Sequence, residues 1–180
     1  MEKGDWPLPD VKPQIGGVVT PAPPRVRLSL GVTGHRESNP ALAANRVAIE
    51  ATLGAILVEI EAAVGAEPAL LGPNAPTRLH SMLADGVDQM TAHAGIARGW
   101  ELVAPLPFGR SLNAAINALP ESESDASALL AGELASTPDV QARAQAIGDL
   151  YLKARVFELA DRDEMLSAQF LAKLAAPGDA

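Results

Sequence analysis

The sequence contains no cysteine. Disulfides, thiolate nucleophiles and cysteine-type zinc sites are therefore excluded. Histidine is almost as scarce: His35, His80 and His93 are too scattered to form a zinc motif, and no metal or cofactor is expected. Aromatic residues are 3% of the chain against 48% hydrophobic residues overall, so the expected core is built from small aliphatics. Positive charge is also in deficit, with 14 Lys and Arg against 22 Asp and Glu. That balance argues against a general nucleic-acid surface, which needs a basic face, while leaving room for a local positive cluster. No apolar run approaches the roughly 18–20 residues of a membrane span. The N-terminus lacks the basic-then-apolar order of a signal peptide. The expected location is the cytoplasm, with no membrane partner.

What is present fits one α/β domain with a tail, at 180 residues. Residues 1–24 hold Pro7, Pro9, Pro13, Pro21, Pro23 and Pro24 with Gly16 and Gly17. Repeated prolines fix φ and remove donors, so an extended, flexible tail is expected, on which Trp6 has the option of docking. RVRLSLGV, residues 25–32, alternates and then turns wholly apolar, as a strand entering a sheet does. Asn39-Pro40 is a helix start, a good cap followed by a good first residue. Ile49, Leu53, Ile56, Leu57, Ile60 and Val64 then recur at helical spacing, giving a helix over about 40–65. TRLHSMLA, residues 77–84, is a second strand. Val87, Met90, Ala94 and Ala97 mark a second helix, which Gly99 closes. ELVAPLPF, residues 101–108, is a third strand ended by prolines. The order β-α-β-α-β implies a parallel sheet with right-handed crossovers.

Beyond residue 108 the pattern weakens. Residues 119–128, rich in Ser and Glu, read as a linker or surface loop. From about 139 a helical reading dominates, through Val140, Ile147, Leu150, Ala154, Phe157, Leu166, Phe170 and Leu174. RVFEL, residues 155–159, has strand character, but its flanks favour helix. The charged run Asp161-Arg162-Asp163-Glu164 reads as a solvated helix face. The expected fold is thus α/β, a Rossmann-like parallel sheet with flanking helices, three clear strands and a helical C-terminal segment. The divisions are 1–24 tail, 25–110 core and 111–180 mostly helical.

Two strand-to-helix loops carry the candidate chemistry. In the first, Gly31-Val32-Thr33-Gly34-His35-Arg36, glycines let amides approach an anion and the following helix end adds positive potential. Thr33 offers a hydroxyl, His35 a donor, and Arg36 a fork suited to phosphate. The plainer reading is a strand-exit turn with solvated His35 and Arg36. The loop is neither a Walker loop nor GxGxxG. In the second, Ala84-Asp85-Gly86-Val87-Asp88, an Asp is placed to accept from a sugar hydroxyl or base amine, and Gly86 would let a ligand lie against the backbone. The plainer reading has Asp85 capping the helix and Asp88 accepting backbone N–H bonds or complementing the dipole. His80 and His93 read as packing or surface residues. In an open α/β sheet both loops would lie at the carboxyl-terminal edge, where ligands bind.

Taken together, GVTGHR and LHSMLADGVDQMTAHAGIARGWELVAPLPF resemble the SLOG superfamily of Rossmann-like domains. That superfamily groups the LOG, lysine-decarboxylase-like proteins with the DNA-processing DprA/Smf proteins. The nearest flavour is a bacterial group with the pattern GVTGHR … SGLAEGADRLAAEAALARGWELVAPLPF. The likeness spans about residues 26–108, and Ser81-Met82 replaces the group's Ser-Gly. It implies binding of a nucleotide or nucleotide derivative, sensor-like, with Gly31, Thr33, Gly34, His35 and Arg36 in the first loop and Ala84, Asp85, Gly86 and Asp88 in the second.

The resemblance also implies parts that this chain lacks. The later Gly-Gly-Thr loop of the similar proteins, and the strand before it, have no counterpart; Gly16-Gly17 is the only Gly-Gly. A LOG-like phosphoribohydrolase would need PGGxGTxxE to supply its Glu, and that motif is missing, so no catalytic residue is assigned. The alternatives are that hydrolase and a degenerate or truncated structural domain. DNA binding by analogy with the DNA-processing relatives conflicts with the acidic charge. In a sheet ordered 3-2-1-4-5, loss of strands 4 and 5 would leave strand 1 with a bare edge, open to self-association. A short natural variant whose C-terminal helix covers that edge, a truncated gene product and pairing with another chain all fit.

Overall fold

The structure is a computed structural model that describes residues 26–71, 76–159 and 163–175. The 1–24 tail therefore lies outside the described residues, as do Asp161 and Arg162. In chain order the elements are β1 (Ser29–Gly31), α1 (Pro40–Gly65), α2 (Pro68–Leu71), β2 (Arg78–His80), α3 (Val87–Ala97) and β3 (Glu101–Leu106). They continue with α4 (Arg110–Asn117), α5 (Glu123–Leu130), α6 (Pro138–Lys153), β4 (Ala154–Glu158) and α7 (Asp163–Ala175). The fold is α/β with a parallel sheet of order β1-β2-β3-β4. Among the described residues no helix is long and apolar enough to cross a membrane.

Local chemistry explains the first half. The Asn39 side chain accepts from Ala41 N (2.9 Å) and Leu42 N (3.3 Å), and Pro40 opens α1. At the far end of α3, Gly99 adopts φ +75°. Its N–H donates to Ile96 O, and that of Trp100 to Gly95 O, closing a Schellman motif. This turn delivers Trp100 into the core beside Leu57, Leu79, Leu102, Leu106 and Leu150. The indole Nε1 donates to Glu61 of α1 at 3.3 Å. Strand 25–32 of the sequence reading is shorter in the fold, ladder residues being Ser29–Gly31, and β2 stops at His80.

The second half departs from the reading. Residues 155–159, expected to continue a helix, lie mostly in β4. Ala154 ends α6 and begins a strand paired with β3 from Leu102↔Ala154 to Leu106↔Glu158. Val156 packs toward the core, and Arg155 stacks its guanidinium over the Phe157 ring at 5.1 Å. The strand is thus decided by the open edge of β3, a long-range partner that the helix-forming flanks do not reveal. Residues 119–128 are not simply a linker. Ser122 accepts from Asp125 N at 3.2 Å and caps α5. A second cluster, Ala115, Ala118, Leu129, Ala135 and Val140, joins α4, α5 and α6. The sheet is therefore completed by the C-terminal segment, while β1 stays at the opposite edge and pairs only with β2 among the described residues.

Candidate functional site

Parallel strands put the loops after β1 and β2 at one rim, and there they touch. Gly86 sits at φ +92°, where a Cβ would fall 2.9 Å from both Arg36 C and Glu37 N. A Cβ on Gly34 would come within 2.5 Å of the Val87 Cβ. Both glycines are thus required by loop-on-loop packing. The N-cap of α3 is Gly86, not Asp85 as the capping reading had it, and no side chain caps this helix. Instead the first loop does part of that work, as Val87 N donates to His35 O at 3.2 Å.

Asp85 turns across to the first loop. Its carboxylate accepts from Arg36 Nη1 at 2.6 Å and from Glu37 N at 3.0 Å, and the residue is 5% exposed. The same Arg36 Nη1 donates to Asn117 Oδ1 at 3.0 Å, and Asp85 N donates to that oxygen at 3.1 Å. Asn117 Nδ2 donates to Asn113 O at 2.7 Å. Tyr151 of α6 donates to Asn113 Oδ1 at 2.7 Å, and burial pushes the Tyr151 hydroxyl pKa up. A continuous polar chain therefore runs from α6 through α4 to Arg36. The Arg36 side chain remains 47% exposed, and its Nε and Nη2 make no hydrogen bond among the described residues.

Asp88 is 3% exposed. Burial pushes its carboxyl pKa up, against the pull of backbone N–H bonds from Ala84 and Gly34 and the Arg36 charge. Its Oδ2 is buried with no hydrogen-bond partner among the described residues. Its carboxylate thus lies close to backbone amides of both loops, almost out of reach of solvent. Nearby, Leu83 is fully buried at φ +58°, an unusual backbone for a branched side chain. Ser81 Oγ accepts from Leu83 N at 3.1 Å and Gln89 Nε2 donates to Leu83 O at 3.1 Å, pinning it there.

The structure therefore sorts the nine residues singled out from the sequence. Gly31, Thr33, Gly34, His35 and Arg36 are exposed along the first loop. Ala84 is half-buried, and Asp85, Gly86 and Asp88 are buried. His80 is half-buried on β2, and His93 is exposed on α3. Asn113, Asn117 and Tyr151 were missed. The available signal was a pair of asparagines four apart, a poor helix former repeated on one helix face. The reading of residues 161–164 as a solvated face also changes at Asp163, whose Oδ2 accepts from Gly109 N at 2.7 Å. Glu158 accepts from Arg110 N at 3.2 Å, so β4 and α7 together cap α4.

Comparison with protein-family models, with curated proteins and with solved structures finds no match for this chain.

Proposed function

We propose that this chain binds a nucleotide or nucleotide derivative at the carboxyl-terminal rim of its sheet, as a sensor-like domain without turnover. The observation that carries this reading is the state of Arg36. One nitrogen is held by Asp85 and Asn117, while the side chain stays 47% exposed in the same loop as exposed Thr33 and His35. A guanidinium oriented in this way loses little freedom on meeting a phosphate and meets it with two donors. The start of α1 just beyond the loop adds favourable potential for an anion. The buried acids act from below: Asp85 orients Arg36, and Asp88 lies buried near the Gly34 amide. Neither has the exposure to serve as a general base, which is why binding is favoured over the phosphoribohydrolase reading.

The test is a panel of nucleoside mono-, di- and triphosphates and nucleotide sugars, read by thermal unfolding at fixed ionic strength. A ligand at 100 times its Kd stabilises by about 2.7 kcal/mol, a shift of several degrees for a chain of this size. The expected result is such a shift for at least one member, abolished in Arg36→Ala and reduced in Thr33→Val. No shift across the panel, or a shift that Arg36→Ala keeps in full, would overturn the reading.

A further inference from the structure

We propose that two copies of this chain pair through α1, antiparallel about a two-fold axis at Thr52, with Ile56 of each copy filling the apolar groove of the other. The groove measures about 340 Å³ and is lined by Ala48, Ile49, Thr52, Leu53 and Ile56 of α1, with Val87 at its end. α1 packs on the core through one stripe, where Leu57 is 3% exposed and Leu53 and Ile60 lie beside it. The flank carrying Glu50 and Gly54 turns to Met90 and His93 of α3. Ala48 and Thr52 stand two residues from Glu50, and Ile56 two from Gly54, about 200° around the helix. They therefore mark the opposite flank, and all three are exposed there, Ile56 by 52%.

The pattern on this flank is its own complement. Asn45, Ala48, Thr52, Ile56 and Glu59 lie within about 80° of one another around the helix. They are spaced evenly about Thr52: Ala48 and Ile56 stand four residues to either side, Asn45 and Glu59 seven. An antiparallel two-fold at Thr52 therefore sets the large Ile56 against the small Ala48 of the second copy, twice. It also sets Glu59 beside Asn45 of the second copy. Glu59 is exposed and has no ion pair among the described residues. The Asn45 amide donates one hydrogen to Ala41 O at 2.9 Å and keeps a second for that carboxylate. A parallel pair would instead bring Glu59 against Glu59 and align the two helix dipoles, both unfavourable.

Self-complementarity, charge and area select a second copy as the occupant. A two-fold contact requires a surface that matches itself, which this register provides. Chains of net charge −8 repel one another, so they meet best on a face poor in acids. This one carries Glu59 alone, opposite an amide. With 26 residues, α1 is about 39 Å long and about 10 Å wide, which gives roughly 400 Å² per copy. A stable interface takes about 800 Å² per partner, so this one has the size of a weak, reversible contact. The expected dimer therefore has a Kd above about 1 μM.

Sedimentation equilibrium of the full chain at fixed ionic strength, from about 1 μM to about 1 mM, tests the proposal. The weight-average mass is expected to rise from one copy of 18.6 kDa toward two and to stop there, because a two-fold contact closes. Ile56→Asp and Ala48→Glu are each expected to raise the dimer Kd by about tenfold or more. Both sites are exposed, so urea midpoints at low concentration should stay near the parent's. An equimolar mixture of Ala48→Glu with Ile56→Lys is expected to associate more tightly than either variant alone, as the glutamate then faces the lysine. Leu152→Asp, at an exposed position of α6, is expected to change nothing. A mass of one copy throughout would overturn the proposal. So would association that Ile56→Asp leaves intact, that grows past two copies, or that the mixture fails to restore. Loss of association in Leu152→Asp would assign the contact to α6 and overturn it equally.

Discussion

At the scale of single residues, the rim rests on two glycines and a few buried polar groups. Gly86→Ala places a Cβ against the Arg36–Glu37 backbone at a left-handed φ. The expected cost is about 1–3 kcal/mol, from the backbone strain alone, checked by denaturant unfolding. Asn117→Ala removes the acceptor shared by Arg36 and Asp85 N, at a site 3% exposed. It should cost about 1–3 kcal/mol, the range for an unsatisfied buried donor, and free Arg36 from one of its two anchors. Asp88 gives a pH signature. Its folded pKa lies above the ordinary 3.8, so the native state takes up its proton first. Stability contributed by this group therefore rises as pH falls through the raised folded value toward 3.8, and levels off below it. Asp88→Asn should remove that rise and leave stability at neutral pH equal or higher, since an amide is not penalised as a buried charge. A pH series of urea midpoints for both proteins checks this.

At the scale of elements, two kinds of signal determine what the sequence reveals. The cap of α1 and the end of α3 are local: Asn39-Pro40 and Gly99 carry their own geometry, and both are where the sequence places them. β4 is not local. Ala154–Glu158 follows a helix without a break and becomes a strand only because β3 offers an open edge. The loops of the candidate site were legible because glycine, threonine and arginine cluster within six residues. Asn113 and Asn117 were not, because they reach Arg36 and Asp85 from a helix far along the chain. The capping of α4 is the same kind of event. Gly109 offers no side chain, and Asp163 and Glu158 serve from distant segments. Asp163→Ala should therefore loosen α4, at a cost of about 0.5–2 kcal/mol, the range for a lost cap, with faster amide exchange at its first turn. In α5, hydroxyls of Thr137 and Ser136 hold the Asp125 carboxyl down at about 2. Its contribution to stability is therefore present above 3.8 and lost as pH falls toward 2. Asp125→Asn should flatten the acid limb of the stability curve in that window.

At the scale of the whole molecule, a four-stranded parallel sheet brings the loops after β1 and β2 together at one rim, with β1 and β4 as its outer strands among the described residues. The rim joins two loops, and a polar chain from Tyr151 through Asn113 and Asn117 braces it from the second helical cluster. This gives the C-terminal segment two tasks: supplying β4 and bracing Arg36. The overall charge of −8 gives the chain no general attraction for polyanions. The most direct measurement is a heteronuclear NMR titration of the isotope-labelled chain with the nucleotide that shifts its unfolding most. The expected result is saturable perturbation centred on the amides of Thr33, His35 and Arg36 and on the Arg36 Nε–H, lost in Arg36→Ala. Saturable perturbation confined to another surface, with these resonances unmoved, would contradict the account.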